Sequence, residues 1–138
     1  MNPAEGSEFS GRARVVSITR ILAFSGGPLA AEGWPARNLH TDRTKATEAG
    51  LAAPIASGVQ CEGDVIRLMT DLFGDAWFRH GRMQVKYPRP VLAGMTIQAH
   101  ARVSARRPTQ DGTLVELEVR CEAADGTLVA VGTASCIA

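Results

Sequence analysis

Between residues 57 and 73 the polar side chains Gln60, Asp64, Arg67 and Asp71 recur at intervals of four, three and four. That spacing places them on one narrow stripe of a helix. Val59, Ile66, Met69 and Phe73 fall on one flank of the stripe, and Cys61, Val65, Leu68 and Leu72 on the other. The apolar arc is wider than a surface helix requires, so the pattern predicts a long, mostly buried helix. Ser57 is placed to cap its start, and Gly74-Asp75 closes it.

Beyond this helix the period drops to two. Met83, Val85 and Tyr87 alternate with Arg82, Gln84 and Lys86, and Ile97, Ala99, Ala101 and Val103 alternate with Gln98, His100, Arg102 and Ser104. Val115, Leu117, Val119 and Cys121 alternate with Glu116, Glu118, Arg120 and Glu122, and a last apolar run covers residues 127–134. These read as strands with one face buried. Turn-forming residues separate them at 88–94, at 108–112 and at Asp125-Gly126, the last suited to a tight hairpin. The sheet is therefore expected to be antiparallel.

The earlier part of the chain is less regular. Residues 1–11 are mostly polar and aperiodic, which predicts a loose tail before a single domain over 12–138. Val15, Val16 and Ile18 suggest a short strand, and residues 21–24 a helical turn ended by Gly26-Gly27-Pro28. Thr41 or Asp42 is placed to cap a short helix to about Ala49, stopped by Gly50. One long apolar helix followed by four strands, with an earlier strand, gives an α+β class. The arrangement is the hotdog fold, an antiparallel sheet wrapped around a central helix.

Composition narrows the function classes. A chain of 138 residues suffices for one domain that buries roughly two thirds of its unfolded surface. A formal charge of +1 with scattered basic residues argues against nucleic acid as a partner. No apolar segment approaches the roughly 18 residues needed to span a bilayer, so no membrane partner is expected. Cys61, Cys121 and Cys136 are an odd set without metal-ligand spacing. They fit free thiols in a reducing, cytoplasmic setting with no metal or other cofactor.

The candidate chemistry lies in Asn38-Leu39-His40-Thr41-Asp42 and in Pro54-Ile55-Ala56-Ser57-Gly58. His40 can accept and donate a proton near neutral pH, or it can simply brace a loop. Asn38 can orient substrate or water, or close an Asx-turn. Asp42 is a possible acid and also a natural charge for a helix start. Gly58, with Ser57 before it, stands where free backbone N–H groups at a helix start can hold an oxyanion, although a glycine there also permits close packing. Glu62 is set by the helical wheel near Val59, Ile66 and Met69, and a carboxyl on a buried face has its pKa raised, as a proton donor needs. Cys61 lacks a neighbouring base in the sequence pattern that would make it a nucleophile.

Residues 21–27, Asn38-Leu39-His40-Thr41-Asp42, Pro54-Ile55-Ala56-Ser57-Gly58, Leu72-Phe73-Gly74 and Tyr87-Pro88-Arg89-Pro90 with Gly94, in that order and spacing, resemble the MaoC-like hotdog family. The resemblance covers the chain from about residue 18 onward. It implies addition of water to 2-enoyl thioesters, or its removal from 3-hydroxyacyl thioesters, with an Asp and a His handling the water. It also implies that a glycine N–H at the central helix start binds the thioester carbonyl. His40 matches the family histidine and Gly58 the oxyanion glycine, while Ser57 stands where a histidine is common. The family pattern Asp-x-Asn-Pro-x-His places Pro35 in the acid position, or Ala36 if the alignment shifts by one. Asp42, Glu62 and Glu32 are then the carboxylates available to replace it.

The resemblance further implies a substrate carried on coenzyme A or an acyl carrier protein, and a homodimer or higher homo-oligomer with sheets joined edge to edge. The alternatives are a hotdog thioesterase, in which an acid activates water against the thioester carbonyl, and a non-catalytic acyl-thioester-binding protein that has lost the acid.

Overall fold

The computed structural model describes residues 3–26, 32 and 37–138. In chain order the described residues form β1 (Glu8–Ser10), β2 (Arg14–Val15), α1 (Ile18–Ser25), α2 (Arg43–Glu48), α3 (Gly58–Phe73), α4 (Asp75–His80), β3 (Arg82–Lys86), β4 (Thr96–Thr109), β5 (Gly112–Ala123) and β6 (Leu128–Ile137). The strands make one sheet in the order β1-β4-β5-β6-β3, with β2 also on β4. Every pairing is antiparallel. This is the expected hotdog arrangement, with α3 lying against the sheet.

Strand alternation becomes two chemically different faces. On β5, Val115, Leu117, Val119, Cys121 and Ala123 are buried, and on β4, Ile97, Ala99, Ala101 and Val103. Glu116, Glu118, Arg120 and Glu122 take the opposite face of β5. The small Ala99 and Ala101 share a cluster with Val65, Leu68, Met69, Leu72 and Phe73 of α3 and with Trp77 of α4. Small side chains under a helix let it approach the strands closely. A register shift between Val103 and Ala105 interrupts the β4–β5 ladder, and such bulges help a sheet bend.

Toward the N-terminus of α3 a second cluster takes over. Cys61 packs there with Val16, Ile21, Ala56, Val91, Ile97, Cys121, Val129 and Ala130. Thus the helix start is held by apolar contacts from Val16 just after β2 and from α1, β4, β5 and β6 rather than by its cap. Ser57 occupies the N-cap position but makes no side-chain capping bond.

The polar stripe of α3 is anchored. Arg14 on β2 grips Asp64 with two short bonds, Nε to Oδ1 at 2.7 Å and a terminal nitrogen to Oδ2 at 2.7 Å. The same guanidinium reaches the Gln60 carbonyl at 3.3 Å. The two side chains are only 19% and 16% exposed, so this bidentate, charge-assisted contact is well shielded.

Several elements differ from the sequence pattern. Glu8–Ser10, expected to be loose, pair with residues 100–102 of β4. The turn expected at 21–24 is a two-turn helix, capped by the Ser17 side chain on Arg20 N–H. α4 follows Gly74 directly, a helix hidden because Gly74-Asp75 reads as a stop. α3 is not buried all round: Val59 is 55% and Ile66 38% exposed. Its buried side comprises Cys61, Val65, Leu68, Met69, Leu72 and Phe73. His100, which reads as an exposed strand residue, has a side chain only 14% exposed. Its Nδ1 bonds the Ser10 hydroxyl at 2.8 Å, and its Nε2 lies 3.3 Å from Glu122.

Met69 is fully buried at the centre of the helix–sheet contact. Met69→Ala is expected to destabilise the fold by about 2–5 kcal/mol, through lost transfer energy and the cavity left behind. Urea unfolding checks this, and a change under about 0.5 kcal/mol would show that the contact collapses freely.

Candidate active site

A loop, an extended strip and a helix start meet at one cavity. The loop is braced by Asn38: its carbonyl accepts from the N–H groups of Thr41 and Asp42 at 3.1 and 2.9 Å. The Asn38 side-chain oxygen accepts from His40 N–H at 2.9 Å, and its amide nitrogen donates to the Ser25 carbonyl at 3.2 Å. This is an Asx-turn that sets the backbone of His40 and ties the loop to the end of α1. The bracing reading of Asn38 therefore accounts for its contacts.

The extended strip is residues 54–56. Ile55 bridges to Leu92, Ala56 N–H donates to the Val91 carbonyl at 2.8 Å, and Ile55 N–H to the Leu39 carbonyl at 3.4 Å. The strip thus holds the His40 loop on one side and residues 91–92 on the other, and it runs straight into α3 at Gly58. His40 Nδ1 lies 2.8 Å from the Ile55 carbonyl oxygen. A carbonyl can only accept, so Nδ1 carries the proton, and in the neutral ring Nε2 is left as the acceptor. A donor bond on one ring nitrogen is how a protein fixes which nitrogen can act as a base.

The cavity has a volume of about 370 Å³, and its walls include His40, Ile55, Gly58, Cys61, Tyr87 and Arg89. Three larger hollows, about 620, 580 and 500 Å³, are lined by residues such as Gln84 and Thr133 on the sheet or Phe24 and Val59 beside α1 and α3. They contain none of the candidate groups, so size does not decide the site here; the convergence of His40 with a helix start does.

Gly58 is the first residue of α3, where backbone N–H groups have no partner within the helix. Its glycine identity is explained by a neighbour, not by its backbone angles. A Cβ at position 58 would come within 2.8 Å of the Tyr87 ring. The ring therefore lies directly over the helix start. Loss of solvent, and then the nearby Glu62 carboxylate, push its phenol up to about 12. Tyr87 is the chain's sole tyrosine. Sequence periodicity placed it at the end of a strand; only its position in the Tyr87-Pro88-Arg89-Pro90 segment signalled more.

The proposed carboxylates separate. Asp42 caps α2, accepting from Lys45 N–H at 3.0 Å, and its other oxygen takes Arg37 Nε at 2.7 Å. Its carboxyl is held below the usual range first by Arg37 and then by the Lys45 N–H. Glu62 is half-buried. Of the three apolar residues expected around it, Val59 and Ile66 are exposed and only Met69 is buried. Glu32 is exposed. No Asp or Glu is among the described residues lining the cavity, and Pro35 and Ala36 lie outside the described residues. Ser57, half-buried, contributes its backbone position at the helix start.

Cys61 lines the cavity, yet burial pushes its thiol up to about 11, and that of the buried Cys121 goes to about 12. Neither is a ready thiolate at neutral pH. The three thiols are free and buried. Among the described residues no group of three His, Cys, Asp or Glu side chains gathers to hold a metal ion. No described helix is long and apolar enough to cross a membrane.

Comparison with known proteins adds a family. The model of the MaoC like domain matches residues 37–124, the stretch from the His40 loop through most of the sheet. No curated protein matches the sequence. Among solved structures, a monoamine oxidase regulatory protein from Archaeoglobus is similar with a TM-score of 0.78 and 24% identity over 98% of this chain and 90% of its own. A MaoC-like dehydratase from Rhodospirillum rubrum gives a TM-score of 0.78 and 19% identity over 98% of this chain and 92% of its own. An (R)-hydratase from A. caviae involved in PHA biosynthesis gives 0.69 and 20% identity over 98% and 96%. At these identities the likeness carries the fold.

Proposed function

This chain belongs to the MaoC-like domain family, and on that premise we propose that it is a hydratase or dehydratase acting on 2-enoyl or 3-hydroxyacyl thioesters of coenzyme A or an acyl carrier protein. The observation that carries the reading is His40: its Nδ1 is committed to the Ile55 carbonyl, and its ring shares one cavity with the Gly58 helix start.

In the hydration direction the thioester carbonyl oxygen accepts from the Gly58 N–H, where the helix start favours negative charge. His40 Nε2 takes a proton from water as the water oxygen bonds to C3. The C2=C3 electron pair moves toward C2 and the carbonyl oxygen. The imidazolium then returns its proton to C2, and the ring is neutral again. One water is added across the double bond, and no other group changes its proton count. Dehydration is the same path reversed.

A binding-only role has one observation in its favour, the lack of a carboxylate among the described cavity residues. A thioesterase role would use the same cavity to direct water at the carbonyl carbon. These readings separate in one assay. A short enoyl thioester is expected to lose its conjugated absorbance without release of free thiol. His40→Ala is expected to lower turnover at least about 100-fold, in the range of a lost general base. Thiol release selects hydrolysis, binding without turnover selects the binding module, and unchanged turnover in His40→Ala removes His40 from the mechanism.

We further take the protein to act as a homodimer in the cytoplasm. Among the described residues β3 ends the strand order and pairs only with β6, an edge that a second copy can cover. Free, buried thiols suit a reducing compartment. Sedimentation is expected at twice the 14.6-kDa chain mass; a monomer at all concentrations would contradict the pairing.

A further inference from the structure

The cavity that holds His40 and Gly58 has two unlike ends. Tyr87, Pro88, Arg89 and Pro90 line it and are exposed, so they surround its mouth. Cys61, Val91 and Val129 also line it and are buried, so they close its inner end. These three belong to the apolar cluster that seats the start of α3. They come from the helix, from the segment after β3 and from β6. The inner end is therefore a piece of close-packed core, which does not swing aside as a loop would.

A thioester of coenzyme A or an acyl carrier protein enters such a cavity in one orientation. The charged carrier stays in water at the exposed mouth, and the hydrocarbon tail gains by reaching the buried apolar end. The helix then measures the tail. Gly58 and Cys61 are three residues apart on α3, on the same face and separated by about 4.5 Å along the axis. A zigzag chain with bonds of about 1.5 Å advances about 1.3 Å per carbon. With its carbonyl at the Gly58 N–H, an acyl group therefore brings its fourth carbon level with Cys61. Two more carbons would add about 2.5 Å, into the space of the Cys61 side chain and the core behind it.

We propose that the Cys61 side chain, backed by Val91 and Val129, ends the acyl pocket, and that the substrate is a short-chain thioester of about four carbons. The proposal rests on the hydratase reading for the place of the carbonyl and names the chain length which that reading leaves open. A cysteine suits the position. A buried thiol is a small, nearly apolar surface, so it stops the chain without setting an unpaired polar group against a hydrocarbon. The cavity volume agrees. About 150 Å³ holds one benzene ring, so about 370 Å³ takes a four-carbon acyl group, its thioester and the near part of the pantetheine arm.

Saturated acyl-pantetheines carry the arm common to both carriers and lack the reacting double bond, so they test the pocket without turnover. In calorimetric titration the native protein is expected to bind butyryl-pantetheine about 15-fold more tightly than the acetyl form, at about fourfold per buried methylene. The hexanoyl and octanoyl forms are expected to bind at least about 10-fold more weakly than butyryl, as overfilled sites do. Cys61→Ala is expected to raise the hexanoyl-to-butyryl affinity ratio about 10-fold, and Cys61→Leu to bring butyryl affinity down to that of acetyl. Val129→Ala, on a separate element, is expected to shift the ratio in the same direction as Cys61→Ala, which keeps the limit testable where a Cys61 variant fails to fold. Octanoyl binding as tight as butyryl in the native protein overturns the limit, and so does an unchanged ratio in both Cys61→Ala and Val129→Ala. In either case enoyl-thioester turnover that is lost in His40→Ala leaves the hydratase reading standing. The expected chain-length profile in a protein that turns over no enoyl thioester supports the pocket and overturns the hydratase reading. No binding of any acyl-pantetheine overturns both.

Discussion

The burial of one face of α3 against the sheet is the constraint on which the remaining structure depends. Val65, Leu68, Met69 and Leu72 fill the space over β4 and β5, and the alanines at 99 and 101 make that space. Seating the helix body fixes where its first residue ends. Cys61 seals the N-terminal end among Val16 and residues from α1, β4, β5 and β6, and the Arg14–Asp64 pair holds the polar side of the same helix to β2. Gly58 is thereby delivered to the cavity by the core, with no help from a side-chain cap. The free N–H groups of an uncapped helix start are the groups that an oxyanion can use.

The His40 side of the cavity is built by different means. It relies on backbone hydrogen bonds and the Asn38 turn rather than on apolar burial. Residues 54–56 connect the two halves: they accept the His40 ring on the Ile55 carbonyl, tie to Val91 through Ala56, and continue into α3. The His40 ring and the helix start, tied to one chain segment, share their positioning. This lowers the number of independent contacts that must be correct for chemistry to occur.

Much of the architecture was legible in the sequence because burial imposes periodicity. The four long or regular strands and α3 follow from alternation and from the i, i+4, i+7 stripe. The width of the apolar arc misled, because Val59 and Ile66 are apolar yet exposed; an apolar residue need not be inside. β1 was illegible, since three residues paired on an edge leave no period. α4 was masked by Gly74, which ends one helix at positive φ and opens the next. Site legibility divides similarly. His40 and Gly58 stand in local motifs, and both line the cavity. Tyr87 reaches Gly58 only through the return of the chain after β3 beside the helix start, a tertiary contact that no local pattern encodes. Asp42 was ambiguous because a carboxylate at a helix start serves both as cap and as acid, and its bonds to Lys45 and Arg37 assign it to the cap.

The central claim is that the thioester carbonyl and the reacting water meet between Gly58 and His40. A crystal structure with a bound, non-reactive enoyl thioester analogue tests this most directly. The account predicts the carbonyl oxygen at hydrogen-bond distance from the Gly58 N–H, with C3 facing His40 Nε2 across an ordered water. An analogue seated on the outer face of the sheet, or in the cavity with its carbonyl turned away from Gly58, would contradict it.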